Sequence, residues 1–356
     1  MRIAQVAPLF ESVPPRRYGG TERVVSYLTE ELVRQGHRVT LFATADSETS
    51  AELVPIVERP LRGDPLWMFQ AVVQVEKVFR RAGDFDVLHF HTDGLHYPLI
   101  RKATTPVVTT LHGRQDLPGL ARFYRVFSHV PVVSISDAQR APLPHARWVG
   151  TVHHGLPPTL YRPGSGRGGY LAFLGRISPE KRVDRAVEIA RRAGVQLLIA
   201  AKVDPVDRTY FEREIEPLLH APGVEYLGEI GDEEKVDFLG DALAVIFPID
   251  WPEPFGLVMI EAMACGTPVL AFHGGSVEEI IRPGVTGAVV GSVDEAVEAL
   301  PSVATLDRVA CRQEFERRFS AARMAQGYVR VYEQLMGGAE READEAGWGA
   351  GLASHG

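Results

Sequence analysis

The sequence predicts an α/β protein built from two doubly wound, mainly parallel sheets. Three observations carry this. Short apolar runs of strand length alternate with segments of helical period along almost the whole chain. The alternation breaks once, at residues 157–169, where Pro157, Pro158, Pro163 and four glycines stand among few apolar residues. The first half opens with a strand, a glycine turn and a helix, the unit that starts such a sheet. At 356 residues the chain has the length for two such domains.

The elements follow in order. Residues 2–7 read as a buried strand and residues 14–20 as a loop rich in Pro, Arg and Gly. Thr21 is placed to cap the next helix, whose Val24, Val25, Leu28, Leu32 and Val33 recur at helical spacing until Gly36. Arg38 to Ala43 is the second strand, Pro65 to Arg81 a helix, and Asp86 to His91 a strand. Strands also fit Pro106 to Leu111, Pro131 to Ser136 and Trp148 to His153. After the break, strands fit Tyr170 to Gly175, Val195 to Ala201, Val224 to Leu227, Ala242 to Pro248 and Val269 to Phe272. Helices fit Glu180 to Arg192, Asp207 to His220, Glu233 to Leu239, Ser292 to Leu300 and Asp307 to Tyr332. From Gly337 the chain is small, charged and glycine-rich, which predicts disorder over residues 337–356.

Composition narrows the function. The net charge of −8 is unevenly spread. Residues 1–156 hold eighteen Lys and Arg against fifteen Asp and Glu, and the remainder twenty against thirty-one. The acidic balance argues against nucleic-acid binding. The more basic first half, with Arg16 and Arg17 in its loop, suits an acidic acceptor or peripheral contact with an anionic membrane surface. The N-terminus reads as a strand rather than a leader. Two cysteines, Cys265 and Cys311, suit a reducing compartment. The expected location is cytoplasmic.

The most informative stretch is Glu253 to Glu261, two carboxylates eight residues apart around an apolar run. It follows a strand, so a helix is expected to open near Pro254, where a missing N–H costs nothing, and to stop at Gly266. The amides of Phe255, Gly256 and Leu257 would then point out of the helix end, ready for an anion or a hydroxyl. Glu261 interrupts an otherwise apolar helix, and a buried carboxylate needs a partner. The plain alternative is a buried helix with one favourable N-terminal charge.

Four further groups sit at expected strand ends, where ligands of such sheets bind. Gly19 and Gly20 would let backbone amides approach a phosphate, or simply form a turn. Arg176 follows a strand, and Lys181 is expected in the first turn of a helix, where a cation opposes the dipole unless it serves an anion. Surface pairing of Lys181 with Glu180 is the plain alternative. His112, before Gly113, ends another strand, where its ring could face a ligand. His89 and His91 share one strand face, but no third metal ligand can be placed, so no metal site is expected. The Gly164-to-Gly169 run mimics a dinucleotide fingerprint, but it precedes a strand instead of following one.

Taken together, these groups resemble the retaining glycosyltransferases of family 4, with their two-domain GT-B architecture. The resemblance rests on Glu253 and Glu261, on Gly175, Arg176 and Lys181, on Gly19 and Gly20, and on His112 and Gly113, in order over roughly residues 1–335. It implies two facing Rossmann-like domains with a cleft between them. Residues 1–156 would form the acceptor-side domain and 170–318 the donor-binding domain. Residues 319–336 would be a helix crossing back to the first domain. It also implies a nucleotide-diphosphate-sugar donor, no cofactor and no required metal. By resemblance, Glu253 and the amides of Phe255, Gly256, Leu257 and Val258 hold the sugar, and Glu261 takes the ribose. Arg176 and Lys181 neutralise the diphosphate, with Gly20 closing over it, and the base lies near Ile230. His112 would position sugar or acceptor. The strand end Ala200-Ala201-Lys202-Val203-Asp204 departs from the glycine-rich turn of many members, so Lys202 is either an extra contact or a solvated turn. Acceptor choice would fall to loop residues such as Arg16, Arg114 and Asp116.

Other readings compete. A sugar-nucleotide epimerase or a sugar phosphorylase would keep the architecture, though no Schiff-base lysine suggests itself for the latter. An inactive nucleotide-sugar-binding protein leaves Lys181 unexplained. A dehydrogenase lacks its Gly-x-Gly-x-x-Gly turn in either half.

Overall fold

The computed structural model describes residues 1–16 and 19–352, with residues 339–352 as backbone only. Arg17, half of the expected basic membrane contact, lies outside the described residues, as do residues 353–356 of the expected tail. Residues 1–135, 142–153 and 321 onward form one unit, and residues 136–141 and 154–320 a second.

The first unit is built on β1 (Arg2–Val6), β2 (Arg38–Ala43), β3 (Glu52–Pro55), β4 (Val87–Phe90), β5 (Val107–Thr110), β6 (Pro131–Ser134) and β7 (Arg147–Thr151). They lie in the order β3-β2-β1-β4-β5-β6-β7, every pair parallel. The second unit holds β8 (Tyr170–Arg176), β9 (Gln196–Lys202), β10 (Val224–Gly228), β11 (Ala244–Phe247), β12 (Val269–Phe272) and β13 (Gly287–Val290) in the order β10-β9-β8-β11-β12-β13, again all parallel. The fully buried central strands explain why they are legible as unbroken apolar runs. Strand order reverses between β1 and β4 and between β8 and β11. The loops after these strands are where such sheets bind ligands.

Several expectations are corrected. β3 and β13, both four-residue edge strands, are not among the expected strands; β3 has a polar start and β13 opens on a glycine. The first helix runs Gly20–Arg34 with Gly19 at its N-cap, so Thr21 lies inside the helix and does not cap it. The expected helix 307–332 is two, Arg308–Arg318 and Ala321–Leu352, broken at Phe319 and Ser320. The second of these packs in the first unit. Its backbone stays helical to Leu352, so the segment from 337 is not irregular as far as that residue. Ala and Glu, both strong helix formers, are common in it.

The segment 157–169, expected as a bare linker, is strapped to the second unit. Gly164, Gly166 and Gly168 donate their amides to the carbonyls of Cys265, Gly240 and Asp241. A Cβ at Gly164 would stand 2.1 Å from the Gly240 carbonyl oxygen, so only glycine fits there. Residues 136–141, expected in the first domain, belong to the second unit, where Glu279 accepts the amides of Asp137 (2.8 Å) and Ala138 (2.7 Å).

The first unit also buries polar groups. His96 is fully buried, stacked on Phe90 at 3.8 Å between centroids, with its Nε2 2.8 Å from Thr109 Oγ1. Burial pushes its imidazole down to about 3. Below the ordinary histidine value near 6.5 the unfolded chain therefore binds the proton that the folded chain refuses, and stability falls as pH falls. From pH 7 to pH 5 this histidine should cost about 2 kcal/mol. Urea melts at the two pH values check this. Equal acid losses in wild type and His96→Gln would contradict it.

Candidate functional site

In the second unit, Arg176 is the last residue of β8, and the loop after β11 carries Trp251 and Glu253. The two therefore flank the strand-order reversal. Lys181 closes a single 3-10 turn, Pro179–Lys181, and Arg182 then takes a left-handed conformation, φ 53°. The α-helix begins only at Val183, with Asp184 in its first turn. The expected conflict between Lys181 and a helix dipole therefore does not arise.

Lys181 turns instead to Glu253: its Nζ donates to Glu253 Oε2. Trp251 Nε1 donates to the same oxygen at 2.9 Å. The ammonium also lies 4.8 Å from the Trp251 ring centroid and 5.5 Å from that of Phe247. Two aromatic rings thus hold the cation while the carboxylate fixes its head. Glu253 is 8% exposed, so this is a nearly desolvated pair.

Arg176 sits among acids. Its Nη2 donates to Glu180 Oε1 (2.6 Å), its Nη1 to Asp204 Oδ2 (3.3 Å), and its Nε is 3.8 Å from Asp207 Oδ2. Glu180 is thus Arg176's partner and not Lys181's. Lys202 Nζ meets Asp204 Oδ1 at 2.8 Å, so the departure at the end of β9 builds part of this cluster. Burial works against the Asp204 charge, but Lys202 and Arg176 hold its carboxyl below the usual range. Asp207 is pushed up, first by burial, against the pull of Arg176.

The helix that carries Glu261 runs Leu257–Ala264, not from Pro254. Gly256 is its N-cap at φ 81°, and a Cβ there would stand 2.7 Å from Met259 Cε and 3.2 Å from Phe247 Cζ. Glu253 therefore lies in the loop before the helix, and the helical rise does not set its spacing from Glu261. Leu257 and Val258 provide the first helical amides, while Met259 donates to the Gly256 carbonyl. The Phe255 ring is 2% exposed and packs on His154 and Phe319, leaving only its backbone for a ligand. Glu261, 4% exposed, has the partners its burial demands: Tyr161 Oη donates to it at 3.1 Å, and Lys235 Nζ is 3.8 Å away. Ile230 is half-buried in the turn between β10 and the helix Asp232–Gly240.

The Glu253 loop is clamped from behind. Ser276 donates its amide to the Glu253 carbonyl (3.0 Å) and its hydroxyl to the Phe255 carbonyl (2.7 Å). Sequence reading missed Trp251, Ser276, Tyr161 and Lys235. Gly274-Gly275 before Ser276 was the one local signal.

In the first unit, Gly19 is buried and Gly20 exposed; a Cβ at Gly19 would lie 2.7 Å from Pro15 Cβ. His112 follows β5, and its Nε2 lies 2.9 Å from His91 Nδ1. His89 and His91 bond to protein partners, and among the described residues no three His, Cys, Asp or Glu side chains are grouped to hold a metal. Arg114 and Asp116, read as acceptor contacts, form a two-pronged pair with each other (2.7 Å).

The arrangement in the second unit is a fixed pair of cations beside a buried carboxylate, at the carboxyl ends of parallel strands. The family "Glycosyl transferases group 1" matches residues 165–320, and "Glycosyltransferase Family 4" matches residues 18–130. A phosphatidyl-myo-inositol mannosyltransferase of Mycobacterium leprae is 28% identical, covering 94% of this chain and 97% of that protein. The chain is a glycosyltransferase of family 4 type. The crystal structure of AviGT4, a glycosyltransferase involved in avilamycin A biosynthesis, superposes on this glycosyltransferase with a TM-score of 0.74. It is 26% identical and covers 95% of this chain and 98% of that one. Sucrose-phosphate synthase from Thermosynechococcus elongatus shares the GT-B fold, with a TM-score of 0.77, 20% identity, and coverage of 95% and 100%. Also similar to this glycosyltransferase is a D-inositol 3-phosphate glycosyltransferase of Mycolicibacterium smegmatis, 27% identical over 78% of this chain and 76% of that one.

Proposed function

We propose that this glycosyltransferase moves a hexosyl group from a nucleotide-diphosphate sugar to an acceptor hydroxyl, with retention of anomeric configuration and without a metal ion. The observation that carries the reading is the Lys181–Glu253–Trp251 knot beside Arg176 at the strand-order reversal. Two preorganised cations there suit a leaving diphosphate, whose charge grows as the glycosyl bond breaks. Glu253 and the Leu257 and Val258 amides hold the sugar, and Glu261 the ribose. Gly19 and Gly20 approach the diphosphate, Ile230 borders the base, and His112 contacts sugar or acceptor. The bond from the anomeric carbon to the phosphate oxygen breaks with its electrons going to phosphate. The acceptor oxygen attacks the same face, and the departing phosphate takes its proton.

The relatives named for phosphatidyl-myo-inositol and D-inositol 3-phosphate favour a polyol or lipid-linked acceptor. A thermal-shift panel of nucleotide sugars finds the donor, since a ligand of the native state raises Tm. Incubation with and without acceptor in EDTA, followed by proton NMR of the anomeric signal, tests the rest. Donor conversion without acceptor would mark an epimerase; an inverted product or loss of turnover in EDTA would refute retention or metal independence.

Peripheral membrane contact through the first unit belongs to the same reading. The helix Trp67–Arg80 exposes Trp67, Met68, Phe69, Val72 and Val73, preceded by exposed Leu66 and with Lys77 and Arg80 in its last turn. Aromatic and aliphatic side chains beside cations suit an anionic lipid interface. No helix among the described residues is long and apolar enough to cross a membrane. Phe69→Ser should release the protein from anionic vesicles in co-sedimentation; unchanged pelleting, or pelleting indifferent to lipid charge, would refute this.

A further inference from the structure

Behind His112, the buried polar groups of the first unit form one connected chain. Gln5 Nε2 donates to Tyr332 Oη at 3.1 Å. His91 Nε2 meets Gln5 Oε1 at 2.7 Å, and His91 Nδ1 meets His112 Nε2 at 2.9 Å. On the other side, Tyr332 Oη meets His89 Nδ1 at 2.7 Å, and His89 Nε2 meets Thr110 Oγ1 at 2.7 Å. Thr110 Oγ1 donates to Tyr328 Oη at 3.1 Å. Gln5, His89, Tyr328 and Tyr332 are all fully buried.

The sense of donation follows from Gln5. Its amide nitrogen serves Tyr332, so its carbonyl oxygen faces His91 and can only accept. His91 therefore carries its proton on Nε2, and its Nδ1 accepts. His112 must then donate from Nε2. In the other direction, the Tyr332 hydroxyl accepts from Gln5 and gives its one proton to His89 Nδ1. His89 Nε2 then donates to Thr110, whose hydroxyl donates onward. All six links are satisfied in one sense by three neutral imidazoles: switching the His91 tautomer breaks two of them, and switching His112 breaks its link to His91. Neutrality is supported separately: desolvation pushes the half-buried His112 down to about 3 and His89 well below its ordinary value.

We propose that this chain fixes His112 as the Nε2–H tautomer, which leaves the buried Nδ1 as the hydrogen-bond acceptor for a hydroxyl of the bound sugar or acceptor. Gln5, His91, His89 and Tyr332 are then positioning residues for the reaction. The final helix returns to the first unit with a chemical purpose, because it brings the Tyr332 hydroxyl that orients Gln5. This rests on the reading above that His112 contacts substrate.

The test uses full-length protein labelled with 15N-histidine. Long-range proton–nitrogen correlation spectra report the tautomer of each ring, with His112 assigned from His112→Gln. Wild type should show His112 as Nε2–H, and this measurement is made on the unaltered chain of hydrogen bonds. Tyr332→Phe frees Gln5 to turn over. His112 should then become a mixture of tautomers, with kcat roughly tenfold lower, about the worth of one hydrogen bond, and donor KM little changed. Gln5→Leu should act in the same direction. A wild-type His112 protonated on Nδ1 overturns the proposal. So does a pure Nε2–H signal with unchanged kcat in both variants. Undiminished kcat in His112→Ala would overturn the role of His112, and the spectrum would still report the tautomer, so the two failures are distinguishable.

Discussion

Replacing Lys181 with methionine should lower kcat/KM by about two to three orders of magnitude, the usual cost of removing a fixed charge from a developing oxyanion. Methionine keeps much of the apolar stem and removes the ammonium that lies over Phe247 and Trp251, so the loss reports the cation. Two effects must be separated. Lys181 serves the substrate in the proposed reaction, but in the ligand-free chain it also balances Glu253, which is nearly buried. Removing one partner of such a pair leaves an uncompensated charge and destabilises the fold by roughly 3–5 kcal/mol. The double variant Lys181→Met with Glu253→Gln removes both charges. It should recover much of the lost stability and none of the lost turnover, a non-additivity expected of residues in contact. Near-normal kcat/KM in Lys181→Met would refute the assignment of this side chain to the diphosphate.

The sheets were legible because parallel strands covered on both faces spell themselves as apolar runs. β1, β2, β8 and β9 could be drawn from the sequence to within a residue or two. β3 and β13 could not, since Glu52 and Pro55 at an edge, and Gly287 at a strand start, carry no such signature. In the site, the spacing of Glu253 and Glu261 drew attention to the right loop and helix, but for an incomplete reason. A left-handed Gly256 ends the loop three residues later than Pro254 suggested, so Glu253 is held by contacts and not by helical geometry. Those contacts come from Lys181, Trp251 and Ser276, two of them more than twenty residues away. Local pattern has no access to such distances. The same holds for Tyr161, hidden in a stretch that reads as linker, and for Tyr332, which lies 243 residues from the His89 ring it touches. Buried carboxylates and imidazoles announce that partners are needed; they do not say where in the chain to look.

The second large effect concerns a residue with no side chain. Gly275→Ala should destabilise the second unit by roughly 3 kcal/mol or more and strongly reduce turnover, because two costs add at this position. Gly275 has φ 61°, a conformation that costs an ordinary residue about 1–2 kcal/mol. In addition, its Cβ would stand 2.2 Å from the Glu253 carbonyl oxygen and 2.4 Å from the Glu253 amide nitrogen. Both obstacles are backbone, so no side-chain rotation relieves them. The collision pushes on the loop that Ser276 clamps through the Glu253 and Phe255 carbonyls, and so on the carboxylate that faces Lys181. Gly284 provides the control in the same unit. It has φ 75°, and a Cβ there would meet nothing within 4 Å. Gly284→Ala should therefore lose about 1–2 kcal/mol and keep its kcat/KM. The difference between the two variants, read by urea melts and by donor turnover, isolates the collision from the backbone strain. If both variants lost the same stability and kept the same turnover, the loop 274–276 would not be what holds Glu253 in place.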